Sequence, residues 1–371
     1  MNKSPSKLKF TKTKGFNSFL ASLMAIVLGL LVGLVVMLIA DPTRAFGGFA
    51  TVLTGGFRKF GDVFYFATPL IMTGLSVGFA YKMGLFNIGA AGQYTMGMFF
   101  AMYVGFMVPV SGPMHWVLAI LAGMLGGMLW GAIPGFFKAY FNVNEVITSI
   151  MFNYIGMYLV DMWVSNSSIM YVSDMARTNY LPQSVLLPSL GFANSNLNIS
   201  FIFAIVAALL IWTVLEKTTF GYELKATGFN KNASIYAGMN GKRNIMVSLI
   251  ISGGLAGLGG AFFLLAPSSI AGSSITYEPI NILAAAGFNG IAVALLGVSN
   301  PIGIIFSAIF ISWLQRGGTL ANISGFRPEI IDLVIAVIIY FSAFAIAMKE
   351  GFMRLISKKK KKNELTSKEV K

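Results

Sequence analysis

Side-chain amides occur within the apolar stretches of this sequence, and five of them are candidates for a role inside the membrane. They are Asn87, Gln93, Asn153, Asn281 and Asn289. An amide without a hydrogen-bond partner in hydrocarbon is strongly disfavoured, so each must face protein or water. Two interpretations follow. The amides bond neighbouring helices to one another, or they line a path along which a neutral polar solute crosses the membrane.

Groups that perform acid–base, nucleophilic or metal chemistry are scarce. The sequence has no cysteine, and a single histidine, His115, excludes a histidine-rich metal cluster. The adjacent Trp116 predicts that His115 lies at the membrane interface. Carboxylates in the apolar stretches all lie near an end, where they do not suit a proton relay; they include Asp62, Glu145, Asp161 and Asp332. We therefore expect no catalytic residue, no metal and no cofactor in this chain.

The sequence also lacks a nucleotide-binding loop. Its only Gly-Lys pair, Gly241-Lys242, has Tyr236 where a P-loop needs its first glycine. If the protein moves solute uphill, the energy enters from another subunit. A secondary transporter that works alone, with an ion site built from carbonyl and hydroxyl groups, is a rival interpretation.

The elements that must position these amides are transmembrane helices. Of 371 residues, 56% are hydrophobic and only 11% are charged, against about 25% charged in soluble proteins, and the mean hydropathy is +0.76. About 20 apolar residues cross a bilayer as a helix. We predict an all-α integral membrane protein with ten spans near residues 19–40, 62–81, 84–107, 115–137, 144–164, 199–215, 245–266, 280–298, 301–315 and 329–348.

The basic residues orient these spans. With both termini in the cytoplasm, cytoplasmic segments hold 21 of the 27 Lys and Arg residues, as the positive-inside rule requires. The net charge of +14 is concentrated in segments that flank the membrane, which favours lipid headgroups over nucleic acid as the partner. We divide the chain into a basic N-terminus (1–16), a transmembrane domain (17–348) and a lysine-rich tail (349–371).

Two repeated patterns concern helix packing. Glycines recur at four-residue spacing, as in Gly123/Gly127/Gly131 and Gly253/Gly257, which lets helices approach closely within one bundle or across a dimer. Phe-Asn occurs at residues 86–87 and 288–289, in the third and eighth spans. An inverted five-plus-five repeat would place two such motifs at its interface, beside a solute path.

The polar segment 216–244 joins the sixth and seventh spans on the cytoplasmic side and is longer than a simple connection needs. Asn230 is suited to cap a short helix and Gly238 to end it. Ala233, Ile235 and Tyr236 would give that helix apolar surface. The segment is a solvated basic loop, or it carries a helix that docks into a groove of a cytoplasmic partner.

Residues 221–239, GYELKATGFNKNASIYAGM, resemble the coupling loop of bacterial ABC importer permeases that carry branched-chain amino acids, ribose-type sugars or nucleosides. The matching positions are Gly221, Leu224, Lys225, Ala226, Gly228, Asn230, Ala233 and Gly238. Residues 84–97 and 287–303 are similar to the nucleoside branch of that family. Two positions depart from the pattern: Ala91, where the family has an acidic residue, and Ser234, where it often has alanine.

The resemblance implies a nucleoside permease subunit in the bacterial cytoplasmic membrane that works by alternating access. Its implied partners are a second homologous permease, an ABC ATPase that uses ATP and Mg²⁺, and an extracytoplasmic binding lipoprotein of the basic-membrane-protein type. External segments 41–61, 165–198 and 267–279 would receive that lipoprotein. A sugar or branched-chain amino acid permease is the nearest alternative.

Overall fold

The computed structural model describes residues 14–192, 195–268, 270, 272–322 and 325–343. Over these residues the fold is almost entirely helical. One short hairpin pairs β1 (Tyr171–Val172) with β2 (Arg177–Thr178). The described helices are α1 Lys14–Ala40, α2 Ala45–Arg58, α3 Phe60–Lys82, α4 Ala90–Met107, α5 Pro113–Phe141, α6 Glu145–Ser165, α7 Ser200–Lys217, α8 Thr219–Phe229, α9 Lys231–Tyr236, α10 Gly241–Leu264, α11 Ala285–Leu296, α12 Pro301–Ala321 and α13 Pro328–Ala343.

The helices belong to two compact units. The first comprises residues 1–52 and 318–371, as far as they are described, and its helices α1 and α13 pack along each other. The lysine-rich tail at 349–371 and the first 13 residues lie outside the described residues. The second unit, residues 53–317, contains the amides and segment 216–244.

Every predicted span contains a helix, and six described helices are long and apolar enough to cross a membrane: α3, α5, α6, α7, α10 and α12. Two spans need correction, because residues 84–89 and 280–284 are not helical. Segment 41–61, expected to be a loop, contains α2. The protein is therefore a helical membrane protein, while the ten-span count, the orientation of the termini and the inverted repeat stay predictions.

Close glycine contacts build the centre of the second unit, where α5 packs against α10. A Cβ atom added to Gly127 would overlap the carbonyl oxygen of Gly253 and lie 2.7 Å from Cα of Gly257. The predicted glycine spacing thus serves packing inside one chain. Lipid-exposed leucines could not drive this association, but backbone contact and dispersion can.

Candidate coupling and translocation sites

The coupling loop, residues 216–244, folds into α8 and α9. The Thr218 hydroxyl accepts a hydrogen bond from the Gly221 N–H at 3.1 Å and caps α8. The Asn230 side chain accepts one from the Ala233 N–H at 3.0 Å and caps α9, as predicted. Gly238, with φ of +82°, follows the end of α9 in a backbone conformation that suits glycine.

One side of α8 packs against the helices behind it. Leu224 is completely buried, and a Cβ at Gly221 would overlap the carbonyl oxygen of Val214 on α7. Lys225 pairs with Glu216 at 3.2 Å. Ala226 is half-buried. These contacts hold α8 against the body of the protein.

The opposite side of the loop presents large apolar side chains to solvent. Phe229 is 95% exposed and Tyr236 is 93% exposed, and Ile235 and Ala233 are exposed between them. Lys231 borders this group. An exposed apolar surface with a basic rim is the type of surface that a docking helix offers to a partner's groove.

Gly228 joins the coupling loop to the connection between α3 and α4, which we term the α3–α4 bend (residues 83–89). A Cβ at Gly228 would lie 2.5 Å from the carbonyl carbon of Met83. Gly84, with φ of +74°, faces the carbonyl oxygen of Gly228 from the other side. The two backbones are therefore in direct contact, and a displacement of α8 must act on the bend.

Three of the five predicted amides form one buried group at this bend, which we term the amide cluster: Asn87, Gln93 and Asn153. Asn87 Nδ2 donates to Gln93 Oε1 at 2.8 Å and to Ser76 Oγ at 3.0 Å. Gln93 Nε2 donates back to Asn87 Oδ1 at 3.1 Å. The Asn87 and Gln93 side chains are bonded to each other, and Asn87 is bonded to α3, so both stabilise the bend. Their place on the solute path stays a prediction.

Asn153 ties the bend to α6. Its Oδ1 accepts a hydrogen bond from the Gly92 N–H at 2.8 Å, and its Nδ2 donates to the Ile88 carbonyl oxygen at 2.9 Å. A continuous set of contacts thus runs from Gly228 through the bend to the middle of α6. The sequence analysis assigned these residues to separate spans and a loop, and it could not predict the contact between Gly228 and Met83.

Asn281 and Asn289 lie apart from the amide cluster. Asn281 is exposed with φ of +56°, and its backbone N–H donates to Asp161 Oδ2 at 2.8 Å. Asn289 is half-buried on α11. The structure therefore separates the predicted path residues into a buried, saturated group and an accessible group.

Asp161 is a positioning residue that sequence reasoning did not single out. It is buried one turn from the end of α6, and its Oδ1 accepts a hydrogen bond from the Tyr277 hydroxyl at 2.5 Å. Burial and the hydrogen bond to Asp161 raise the pKa of Tyr277 well above its ordinary value of 10. The signal in the sequence was a carboxylate that ends an apolar stretch, a position also compatible with a solvated residue.

Thr178 and Tyr277, which lie in two different connecting segments, are joined by two hydrogen bonds. The Thr178 N–H donates to the Tyr277 carbonyl oxygen at 2.8 Å, and the Tyr277 N–H donates to Thr178 Oγ1 at 2.9 Å. His115 is buried against the protein, with Nδ1 2.9 Å from Ser184 Oγ, and its position at the membrane interface stays a prediction. The hydrogen bonds between Thr178 and Tyr277 join the described residues of segments 166–199 and 265–284.

Comparisons with known proteins identify the family of this chain. Residues 60–343 match the family described as the branched-chain amino acid transport system permease component. The chain is 37% identical over 347 residues to the guanosine ABC transporter permease protein NupP of Bacillus subtilis, covering 91% of this chain and 96% of that protein. It is 34% identical over 342 residues to the nucleoside ABC transporter permease protein NupB of Lactococcus lactis, covering 87% and 90%.

A second Bacillus subtilis protein, the guanosine ABC transporter permease protein NupQ, is 26% identical over 282 residues, covering 72% of this chain and 83% of that protein. No solved structure matches the chain. The family match covers most of the chain, including the amide cluster and the coupling loop. The chain therefore belongs to the branched-chain amino acid transport system permease family, whose members are multi-pass membrane transport subunits rather than enzymes.

Proposed function

We propose that this chain is the permease subunit of an ATP-driven importer of nucleosides in a bacterial cytoplasmic membrane. The names of the relatives at 37% and 34% identity support nucleosides as the solute. Saturated amides, with no described carboxylate deep in the bundle, suit a neutral solute better than an ion. In this proposal all ten spans cross the membrane and both termini are cytoplasmic.

The exposed apolar face of α9 is the observation that carries the coupling mechanism. Phe229, Ile235 and Tyr236 would bind a groove of the partner ATPase, and ATP with Mg²⁺ would be bound there and not by this chain. Closure of the ATPase would push α8. The contact between Gly228 and Met83 would pass that displacement to the α3–α4 bend and, through Asn153, to α6.

We further propose that the chain pairs with a second, different permease and receives solute from an extracytoplasmic binding lipoprotein. Bacillus subtilis has two proteins with the guanosine permease name, and both are similar to this chain. This supports a pair of non-identical permeases. The described residues of segments 166–199 and 265–277, which bond to each other, would form the surface for the lipoprotein.

Uptake measurements test the solute. Deletion of the chain should abolish uptake of radiolabelled nucleosides and confer resistance to toxic nucleoside analogues. Uptake of labelled ribose and branched-chain amino acids serves as the control and should not change. The proposal is wrong if nucleoside uptake persists with no other route, or if the loss falls on a sugar or an amino acid instead.

Co-purification tests the docking helix. Tyr236→Ala and Ala233→Asp should reduce the amount of ATPase that purifies with the membrane complex, because each removes or interrupts the exposed apolar face. Tyr140→Ala, which removes another exposed tyrosine from the end of α5, is the matched control. Equal ATPase recovery from all three variants would exclude α9 as the docking element.

A further inference from the structure

The exposed face of α6 differs in composition from the exposed faces of its neighbours. On α5 and α7 the exposed residues of the central turns are aliphatic: Leu121, Leu125 and Leu129, and Ile202, Val206, Leu209 and Leu210. On α6 they include Met151, Tyr154, Tyr158 and Met162. Tyr154 is 49% exposed and Tyr158 is 55% exposed, and both lie in the middle third of this 21-residue helix.

Two exposed tyrosines at this depth are poorly suited to lipid. Neither hydroxyl bonds to any described residue, and hydrocarbon offers no partner. Aliphatic side chains on α5 and α7 have no such requirement. The contrast indicates that lipid covers α5 and α7, and that water or a solute reaches the exposed face of α6.

Residues 278–284, which we term the outer segment, provide an independent reason for water at this place. The segment begins near the end of α6, where Asp161 bonds Tyr277 and the Asn281 N–H. It ends where α11 begins, beside the middle of α3, since Thr73 Oγ1 donates to the Ala286 carbonyl oxygen at 3.0 Å. The 12-residue α11 spans only about 18 Å at 1.5 Å per residue.

Because α11 is too short to cross the hydrocarbon core by itself, the non-helical outer segment occupies the remaining depth of the membrane. The backbone N–H groups of Ile282, Leu283 and Ala284 bond to no described residue. The Ile282 side chain is 69% exposed. Exposed backbone of this kind is tolerated at membrane depth only where protein or a water-filled cavity covers it.

The contacts that hold the outer segment and the start of α11 lie at two levels of α6, and these levels bracket the turns that carry the tyrosines. The upper end of the outer segment is held at Asp161. Its lower end meets α4, where a Cβ at Gly287 would overlap Ala91, and the adjacent Gly92 bonds Asn153 of α6. Tyr154 and Tyr158 lie between these two levels. The polar face of α6 and the open backbone therefore belong to one surface.

We propose that Tyr154 and Tyr158, together with the outer segment, form the outer half of the solute path and bind the heteroaromatic base of a nucleoside by stacking. This inference rests on the proposed function and identifies the part of the chain that recognises the solute. Stacking on an aromatic ring is tolerant of base identity, and it is weak enough for a solute to leave. Free backbone N–H groups of the outer segment are donors for the sugar hydroxyls and base carbonyls.

Cysteine labelling tests the path directly, because the chain contains no cysteine of its own. Tyr154→Cys, Tyr158→Cys and Ile282→Cys should react with a charged thiosulfonate reagent in the complete transporter, since the thiolate forms only where water reaches it. Leu125→Cys and Leu129→Cys on α5 should not react, and Ser168→Cys in the external segment is the positive control. Failure of all three path cysteines to react while Ser168→Cys reacts overturns the proposal.

Protection of the cysteines from labelling by added solute tests whether the path binds a nucleoside, separately from whether water reaches it. A purine or pyrimidine nucleoside should slow labelling at positions 154 and 158, and ribose should not. Labelling without protection by any nucleoside overturns the assignment of the base. The proposed function fails separately if the wild-type transporter imports no nucleoside at all.

Uptake kinetics test the stacking role of Tyr158. Tyr158→Phe keeps the ring and should transport nucleosides at the wild-type rate. Tyr158→Leu should lower uptake about fivefold, the lower end of the effect of losing one base–aromatic stack. Phe136→Leu on α5 removes an exposed ring elsewhere and should have no effect. Equal rates for Tyr158→Phe and Tyr158→Leu contradict base stacking.

Discussion

At the scale of single residues, Asn87 is the member of the amide cluster with the most hydrogen bonds. Asn87→Ala removes its bonds to Ser76 and Gln93 and leaves buried polar groups without partners, at a cost of about 1–3 kcal/mol for each unsatisfied group. We expect a lower midpoint of thermal unfolding in detergent and a reduced transport rate. Asn166→Ala is the control for the unfolding midpoint, because that side chain is exposed and its φ of −84° suits alanine. Equal unfolding midpoints for the two variants would contradict a structural role for the cluster.

The raised pKa of Tyr277 predicts that the stability of the folded protein depends on pH. This pKa is raised in the folded protein by burial and by the hydrogen bond to Asp161. The folded state therefore holds the phenol proton more tightly than the unfolded state does. The resulting stability is fully present below about pH 10, the ordinary pKa of tyrosine, and is lost as the pH rises further toward the folded pKa.

Limited proteolysis measures this effect. Cleavage within segment 166–199 should accelerate above pH 10 in the wild type, and the acceleration should be smaller in Tyr277→Phe, which has no proton to lose. Below pH 9, Tyr277→Phe should be cleaved faster than wild type because the bond to Asp161 is missing. The same pH dependence in both proteins would exclude Tyr277 as its source.

At the scale of elements, the contact between α8 and the α3–α4 bend predicts a transport defect without loss of assembly. Gly228→Ala places a methyl group 2.5 Å from the Met83 carbonyl carbon. Overpacking costs about 1–3 kcal/mol, and we expect nucleoside uptake to fall about tenfold, as a 1.4 kcal/mol barrier change would produce. ATPase should still co-purify, since the exposed face of α9 is unaltered.

Gly241→Ala is the matched control in the same loop. Its added methyl group would meet Thr227 Cγ2 at 3.8 Å, an ordinary van der Waals distance. Transport by Gly241→Ala should therefore be normal. Wild-type transport by Gly228→Ala would show that the bend does not transmit motion.

The sequence predicted these elements better than it predicted their breaks. Hydropathy and length suffice to predict a membrane helix, and each predicted apolar stretch does contain a helix. The caps at Asn230 and Gly238 followed from local backbone chemistry. Hydropathy could not show that residues 280–284 are non-helical, because an apolar segment has the same hydropathy in either conformation.

The amide residues show the same limit. Their types predicted that each needs a partner, and the structure supplies partners for Asn87, Gln93 and Asn153. The identity of each partner could not be predicted, because it depends on contacts between residues as distant in sequence as Gly92 and Asn153. The exposed face of α6 could not be predicted from its own sequence, because the exposure of Tyr154 depends on which surfaces the neighbouring helices leave uncovered.

At the scale of the whole molecule, the predicted topology can be tested with single cysteines. In intact cells, Ser168→Cys in the predicted external segment should react with a membrane-impermeant thiol reagent. Asn232→Cys on α9 should react only after the membrane is permeabilised, because the coupling loop is predicted to be cytoplasmic. Both side chains are exposed, so accessibility within the protein is matched. The reverse pattern would invert the topology and remove the coupling loop from reach of an ATPase.

The contact between α5 and α10 has a thermodynamic consequence for such a molecule. It is made by backbone atoms at Gly127, Gly253 and Gly257, which have no side-chain rotamers to restrict. Its formation therefore avoids the loss of side-chain conformational entropy that accompanies the burial of larger residues. Because this contact has no alternative rotameric packing, α5 and α10 should move together as one body in each transport cycle, leaving α6 and α11 to change position against them.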